Sequence, residues 1–209
     1  ALDLMVDPRV LIPRPETEAV VGHALDEFDR VARGRSGEVR VADLGTGSGA
    51  IGLSMAAERA TARVVCTDCS LDALAVARAN LSGLGRPARR VTLVEGSWFD
   101  ALPDGLRGRL DLLVSNPPYV GAGEHLPPEV ADWEPHAALV PGTGGTEDLD
   151  LLVDGATTWL APGGALVLEL DPRQADRVVE RASVGGLVDV EVRPDLTGRD
   201  RALVARMPA

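Results

Sequence analysis

Lysine is absent from this chain of 209 residues, and all 21 basic residues are arginine. Acidic residues outnumber the basic ones, which gives a formal net charge of −11 at pH 7. Non-specific binding of nucleic acid comes mostly from cationic side chains that neutralise phosphates. The charge therefore argues against a broad phosphate-binding surface. We expect a protein or a small molecule as the partner, without direct contact to nucleic acid.

Long apolar runs are absent as well. No stretch approaches the roughly 20 apolar residues that span a bilayer, and no signal peptide opens the chain. The composition is 45% hydrophobic with a mean hydropathy of +0.05, which suffices for one well-cored domain. We expect a cytoplasmic protein without a membrane partner.

Cysteine is scarce. Cys66 and Cys69 form a Cys-x-x-Cys pattern between a predicted strand and a predicted helix, as in some redox proteins. Cys66 lies in an apolar run, however, and the intervening Asp68 suits a different role. We therefore predict two buried, reduced thiols, with a redox pair as the alternative. We predict no metal ligand.

Strand-like and helix-like runs alternate along the chain. The predicted strands are 39–44, 63–68, 91–95, 110–115, 165–170, 187–192 and 201–206, and the predicted helices are 16–31, 50–59, 71–81, 149–160 and 173–182. Thr17 is the predicted N-cap of the first helix. Alternating units of this kind predict an α/β fold with a mostly parallel seven-stranded sheet. The last two strands are joined by a link too short for a helical crossover, so the final strand should be antiparallel.

Residues 116–119, Asn-Pro-Pro-Tyr, follow the apolar strand 110–115 and are predicted to lie at its carboxyl end. In open α/β sheets ligands bind at that edge. Proline fixes its own φ and favours extended geometry in the residue before it. The side-chain oxygen of Asn116 and the carbonyl of Pro117 should therefore form a rigid pair of acceptors for a planar –NH2 group. A simple Pro-Pro turn is the alternative.

The first predicted strand runs into a glycine-rich segment, and the next one ends at Asp68. Glycines allow close approach of a ligand, and the following helix offers free N–H groups. We predict cofactor contacts from Asp43, Gly45, Thr46, Gly47, Ser48 and Gly49. Asp68 can accept hydrogen bonds from both hydroxyls of an adenosine ribose; a helix cap is its alternative role. The spacing of Gly47, Gly49 and Gly52 also matches a dinucleotide-binding pattern, so NAD remains open at this point.

Three features favour S-adenosylmethionine over NAD. An anion at Asp43 suits the ammonium group of a methionine moiety and opposes a pyrophosphate. Trp98 follows the third predicted strand and can cover an adenine, although a core position is the alternative. A hydride-transferring enzyme has no need of the loop at Asn116.

Together these motifs are similar to those of the HemK-type protein-(glutamine-N5) methyltransferases, which methylate peptide-chain release factors. The similarity covers the opening motif 10–18, the segment 43–49, the loop 116–119, the pairs 134–135 and 138–139, residues 168–170 with Gln174, and the closing segment 195–201. The opening motif is the most family-specific of these stretches.

This resemblance implies a class I S-adenosylmethionine-dependent methyltransferase fold, which is Rossmann-like, over residues 1–209. Residues 1–35 would form the opening motif and leading helix, and 36–209 the core. The family's small N-terminal helical domain, which helps to dock the release factor, has no counterpart here. Asp148 and Asp171 stand where the family usually has glycine, and we expect these changes to alter a turn near the substrate.

The resemblance also implies roles for the loop. Asn116 and Pro117 would orient a glutamine amide nitrogen towards the methyl group and stabilise its developing charge, Pro118 would contribute to the substrate loop, and Tyr119 would stack on the amide. Glu169 would orient the loop. The wall of the pocket would be shaped by Arg14, Glu16 and Glu18. No general base is expected, and the three histidines are interpreted as solvated or structural: His23, His125 and His136.

Alternatives remain at this point. An N6-adenine nucleic-acid methyltransferase would use the same loop on a flipped base. A ribosomal-protein glutamine methyltransferase is a closer variant, whereas a dehydrogenase and a catalytically silent adenosine-binding module belong to other classes.

Overall fold

The computed structural model describes residues 2–121, 133–135, 138–140, 142 and 144–209. His125 and His136 lie outside the described residues.

Helices and strands alternate in the described ranges. The helices are α1 (Pro15–Ala32), α2 (Ala50–Glu58), α3 (Leu71–Gly83), α4 (Glu147–Trp159) and α5 (Ala175–Val184). The strands are β1 (Val39–Leu44), β2 (Ala62–Asp68), β3 (Val91–Glu95), β4 (Leu110–Ser115), β5 (Leu160–Glu169), β6 (Val188–Pro194) and β7 (Asp200–Arg206).

The seven strands form one sheet in the order β3-β2-β1-β4-β5-β7-β6. The first five pair in parallel, and β7 runs antiparallel to both β5 and β6. The predicted sheet with its antiparallel final strand is therefore confirmed. The strand order reverses at β1, because β2 lies on one side of it and β4 on the other. A crevice for a ligand opens at such a point, beyond the carboxyl ends of the strands.

The strand β4 shows how both faces of the sheet are covered. Its six residues are all buried, and successive side chains point to opposite faces. Leu113 packs in one cluster with Leu152 of α4, whereas Leu112 packs in the other with Phe28 of α1. A central strand buried on both faces reads as one continuous apolar run, which is why its bounds could be predicted.

Two predicted details are wrong. Thr17 is not the N-cap of α1: Arg14 holds that position and Pro15 starts the helix, while the Thr17 hydroxyl donates to Glu169 Oε2 at 2.9 Å. The strand β5 begins five residues earlier than predicted, at Leu160. Within the described part of the chain, no helix has the length and apolar character needed to cross a membrane.

Candidate active site

A cavity of about 270 Å³ opens at the carboxyl ends of β1, β2 and β4. Most of the predicted site residues line it: Gly45, Thr46, Gly47, Ser48, Asp68, Trp98, Asn116 and Pro118. Four others lie outside its lining: Asp43, Gly49, Pro117 and Tyr119. The fold thus brings the glycine segment and the Asn-Pro-Pro-Tyr loop to one site, and their individual roles stay predictions.

The glycine segment has a backbone that only glycine adopts easily. Gly45 has a φ of +71°, and a Cβ there would lie 3.1 Å from Cζ3 of Trp98. Gly49 is the N-cap of α2 with a φ of +87°, and its Cβ would lie 2.8 Å from Cδ1 of Leu53. A side chain at Gly45 would therefore press on Trp98 in the cavity wall. A side chain at Gly49 would clash with Leu53 of α2.

Asp43 lies behind this segment and is buried. Its Oδ2 accepts hydrogen bonds from the Thr46 hydroxyl at 2.5 Å and from the Gly52 N–H at 2.9 Å. Its Oδ1 is buried and has no partner among the described residues. Burial raises the pKa of Asp43 to about 6, and the charge of Asp68 adds to this. Asp43 does not line the cavity, but its carboxylate accepts from Thr46, which does, so its negative charge lies one hydrogen bond behind the wall and favours a cationic ligand.

Asp68 is held rigidly at the end of β2. Its Oδ2 accepts from the Gly47 N–H and its Oδ1 from the Ser70 N–H, both at 2.9 Å. Ser70, not Asp68, caps α3, because its hydroxyl oxygen accepts from the Ala73 N–H at 3.2 Å. Each carboxylate oxygen has further lone pairs, so the geometry leaves Asp68 able to accept two ribose hydroxyls.

Trp98 stands in the cavity wall beside Gly45 with an unusual φ of +42°. Its indole Nε1 donates to Oδ1 of Asp148 at 3.1 Å, and Asp148 also lines the cavity. Burial raises the pKa of Asp148. From the sequence alone, Asp148 stands out only as an acid where the family usually has glycine, and nothing in the pattern predicts its place in the site.

Asp148 and Asp171 stand where the family usually has glycine. Asp148 lies in the first turn of α4. Asp171 has a φ of −76°, which suits any residue, and its carboxylate accepts from the Arg173 N–H at 2.8 Å. Neither position in this chain has the positive φ that favours glycine.

Asn116 and Pro118 present the substrate loop to the cavity. The Asn116 side chain makes no hydrogen bond to any described residue, so its oxygen is available to a ligand. The loop starts from a fixed point, because the Ser115 hydroxyl donates to the Leu44 carbonyl at 2.6 Å and ties β4 to β1. Pro117 is buried and does not itself line the cavity.

Tyr119 anchors the other end of the loop. Its hydroxyl donates to Oε1 of buried Glu169 at 3.2 Å, and Thr17 donates to Oε2 of the same carboxylate. Burial, followed by the Glu169 charge, raises the pKa of Tyr119. Gln174 Nε2 donates to the Tyr119 carbonyl at 3.1 Å and to the Gly145 carbonyl at 2.8 Å. These bonds fix the loop through side chains that are distant in sequence.

The opening motif enters the site differently from the prediction. Arg14, Glu16 and Glu18 do not line the cavity; the lining comes from Arg9, Val10, Leu11, Pro13 and Thr17. Arg14 instead donates to both oxygens of buried Glu134, at 2.6 and 2.8 Å. This ion pair joins the opening motif to the segment that follows the substrate loop.

Both thiols are free, but only Cys66 is buried. Cys69 is exposed and lines the cavity, so the prediction of two buried thiols is wrong for it. Burial raises the pKa of Cys66 well above its usual value, which opposes redox reactivity. Across the described ranges, no three His, Cys, Asp or Glu side chains come together as a metal site.

Comparison with known proteins decides the family. Residues 29–131 match the model of the methyltransferase small domain. The release factor glutamine methyltransferase of Cereibacter sphaeroides is 44% identical over 201 residues, which cover 95% of this chain and 67% of that protein. The Xylella fastidiosa protein of the same name is 44% identical over 208 residues, which cover 99% of this chain and 72% of that protein. The chain belongs to the release factor glutamine methyltransferase family.

A solved methyltransferase from Pyrococcus furiosus has the same fold, with a TM-score of 0.70 and a sequence identity of 23%. The superposition covers 100% of this chain and 90% of the Pyrococcus furiosus chain. The predicted class I methyltransferase fold is thus confirmed, and S-adenosyl-L-methionine is the cofactor. The family membership excludes the alternatives of an NAD-dependent dehydrogenase and of a catalytically silent adenosine-binding module. The negative charge of Asp43 behind the cavity wall and the lone pairs of Asp68 in the wall fit this cationic, ribose-bearing cofactor.

Proposed function

We propose that this chain transfers a methyl group from S-adenosylmethionine to a glutamine side-chain amide of a peptide-chain release factor. The observation that carries the proposal is the place of Asn116: it lies in the same cavity wall as the glycine segment, and its side chain has no hydrogen bond to a described residue. The names of relatives that are 44% identical support the substrate. Because release factors act on ribosomes, the activity belongs in the cytoplasm.

The cofactor is held by residues of β1 and β2 and their loops. Asp68 accepts the ribose hydroxyls, the glycine segment brings backbone close to the methionine portion, and Trp98 covers the adenine. Asp43 contributes a negative charge from behind Thr46, which favours a cation in the cavity. When bound, the cofactor supplies an electrophilic methyl group on a sulfonium centre.

The amide nitrogen is a poor nucleophile, because its lone pair is delocalised into the carbonyl. The Asn116 side-chain oxygen and the Pro117 carbonyl would each accept one N–H bond and so aim the nitrogen at the methyl carbon. The same acceptors stabilise the positive charge that develops on nitrogen. Tyr119, tied to Glu169, positions the loop; stacking of its ring on the amide remains part of the proposal.

No general base is required in this mechanism. A methylated amide nitrogen that carries a positive charge is strongly acidic and loses its proton to water. The ionisable groups among the described lining residues are Arg9, Asp68, Cys69 and Asp148, and the mechanism assigns none of them a proton-transfer role.

Methyl transfer to an intact release factor, with the product mapped by mass spectrometry, tests the proposal. The expected product carries one added methyl group on one glutamine side chain. A ribosomal protein and an adenine-containing RNA should be offered in parallel. Transfer to either of these, with none to the release factor, would contradict the assignment of substrate.

A further inference from the structure

We propose that Asp148 accepts a hydrogen bond from the 6-amino group of the cofactor's adenine and thereby selects adenine over 6-oxopurines. The inference deepens the proposed function, because it rests on the same cofactor in the same cavity. It concerns a residue at which this chain differs from the glycine usual in the family.

The cavity contains two carboxylates among its described lining residues, Asp68 and Asp148. With Asp68 on the ribose, Asp148 is the remaining anionic acceptor for the base. The two lie near each other: Cys69, which follows Asp68, lines the same cavity, and its pKa is raised by burial and then by the charges of both carboxylates. A base attached to a ribose at Asp68 is therefore within this region.

Trp98 fixes the Asp148 carboxylate in place. The indole N–H donates to Oδ1 at 3.1 Å, while another part of the ring lies against Gly45. Oδ2 receives no hydrogen bond from a described residue, and Oδ1 has a further lone pair. A base that stacks on the indole thus presents its edge towards a carboxylate that is already oriented.

Asp148 also differs from its neighbours on α4. Asp150 forms an ion pair with Arg177, and Asp154 forms one with Arg181. Asp148 has no ion pair with any described residue, although burial raises its pKa. A half-buried carboxylate without a cation gains most from a ligand donor.

The chemistry selects the 6-position of the purine. An ionised carboxylate only accepts hydrogen bonds, so it pairs with one N–H of a 6-amino group. A 6-oxo group would place an acceptor against an acceptor, which disfavours the wrong base.

Calorimetry with S-adenosylhomocysteine and S-inosylhomocysteine tests this without any protein substrate. We expect the wild-type protein to prefer the adenosyl ligand by about tenfold or more. Asp148→Asn should reduce the preference at least about fivefold, because the new amide can turn its –NH2 towards a 6-oxygen. Asp154→Asn, on the same helix but outside the cavity, is the matched control and should leave the preference unchanged.

Two further results discriminate between roles. Trp98→Phe keeps an aromatic ring but removes the indole donor that orients Asp148, so it should lower the adenosyl preference, and by less than Asp148→Asn does. If Asp148→Asn weakens both ligands equally, or changes neither, the proposal is overturned and Asp148 does no more than hold Trp98. If the folded wild-type protein binds neither ligand, the cofactor site itself fails, which is a separate outcome.

Discussion

Two regions of the cavity are built in different ways. Within the cofactor region, residues 39–70 with 96–98, the bonds of the two strand-end acids join residues 3 to 21 positions apart: Asp43 binds Thr46 and Gly52, and Asp68 binds Gly47. The amide loop, residues 116–119, is held by side chains far away in sequence, since Tyr119 and Thr17 meet on Glu169, which lies 50 and 152 residues away.

The two regions differ in this way because one binds the cofactor and the other positions the substrate amide for methyl transfer. Local bonds shape the cofactor region into a rigid acceptor of ribose and methionine, whereas the amide loop depends on the whole sheet being assembled. Changes in the first region should therefore act on cofactor affinity, and changes in the second on the transfer step. The expected effects below run from the largest to the smallest.

Asn116→Ala should lower turnover by about two to three orders of magnitude, because it removes one preorganised acceptor for the developing charge. Steady-state turnover on a release factor measures this. Asn116→Asp keeps an acceptor and should retain more activity than the Ala variant. Equal activity of the two variants would argue against a role for the side-chain oxygen.

Asp68→Ala should weaken S-adenosylhomocysteine binding by about tenfold or more, since two ribose hydroxyls would lose their acceptor, at about 1–3 kcal/mol. Calorimetry measures the affinity, and turnover at saturating cofactor should change far less. Asp72→Ala, an acid in the first turn of α3 outside the cavity lining, is a suitable control. Unchanged affinity in folded Asp68→Ala would refute the assignment.

Glu169→Ala should lower turnover about tenfold while cofactor affinity stays near normal, because Tyr119 and Thr17 lose their shared acceptor and the amide loop loses an anchor. Tyr119→Phe removes only one of these bonds and should have a smaller effect. Exposed Glu180 on α5 provides the control variant Glu180→Ala. A purely structural Glu169 would instead reduce thermal stability without separating turnover from affinity.

The affinity for S-adenosylmethionine should rise several-fold between pH 5 and pH 7. Burial raises the pKa of Asp43 to about 6, so the carboxyl is protonated below this pH and must lose a proton before it can attract a cation. Binding of the positively charged cofactor favours the ionised form, and the gain ends once the pH exceeds about 6. Asp43→Asn should flatten this profile; a profile as steep as that of the wild type would assign the dependence to another group.

The double variant Cys66→Ala, Cys69→Ser should keep its methyl transfer, since neither thiol takes part in the mechanism. Cys66 is buried against Gly52, where a Cβ would lie 2.4 Å from Sγ, so the loss of sulfur leaves a small void and costs some stability. Thermal unfolding and turnover measured together check this. Loss of activity with fold and cofactor binding intact would revive a role for the thiols.

Sequence patterns predicted the strands around the cofactor region well because strand formation depends on neighbouring residues. The bounds of β1, β3 and β4 match their predicted ranges, and the residues predicted to bind the cofactor lie near strand ends. The predictions for individual side chains were wrong where a hydrogen-bond partner far away in the sequence determines their orientation. Thr17 resembles an N-cap, but its hydroxyl binds Glu169, and Arg14 turns to Glu134 instead of the cavity.

Asp148 illustrates the same limit within the cofactor region. It lies 50 residues after Trp98, and only the packing of α4 against the sheet brings the two together. A signal for it existed in the sequence, namely an acid where the family usually has glycine. Turn chemistry alone could not reveal that this acid enters the cavity.

The division of labour between the two regions is tested most directly by measuring two quantities for both Asn116→Ala and Asp68→Ala: S-adenosylhomocysteine affinity, and turnover on a release factor at saturating cofactor. The account predicts that Asn116→Ala loses turnover and keeps most of its affinity, whereas Asp68→Ala loses affinity and keeps most of its turnover. A folded Asn116→Ala protein with near-normal turnover would contradict it, because the amide loop would then be a structural turn.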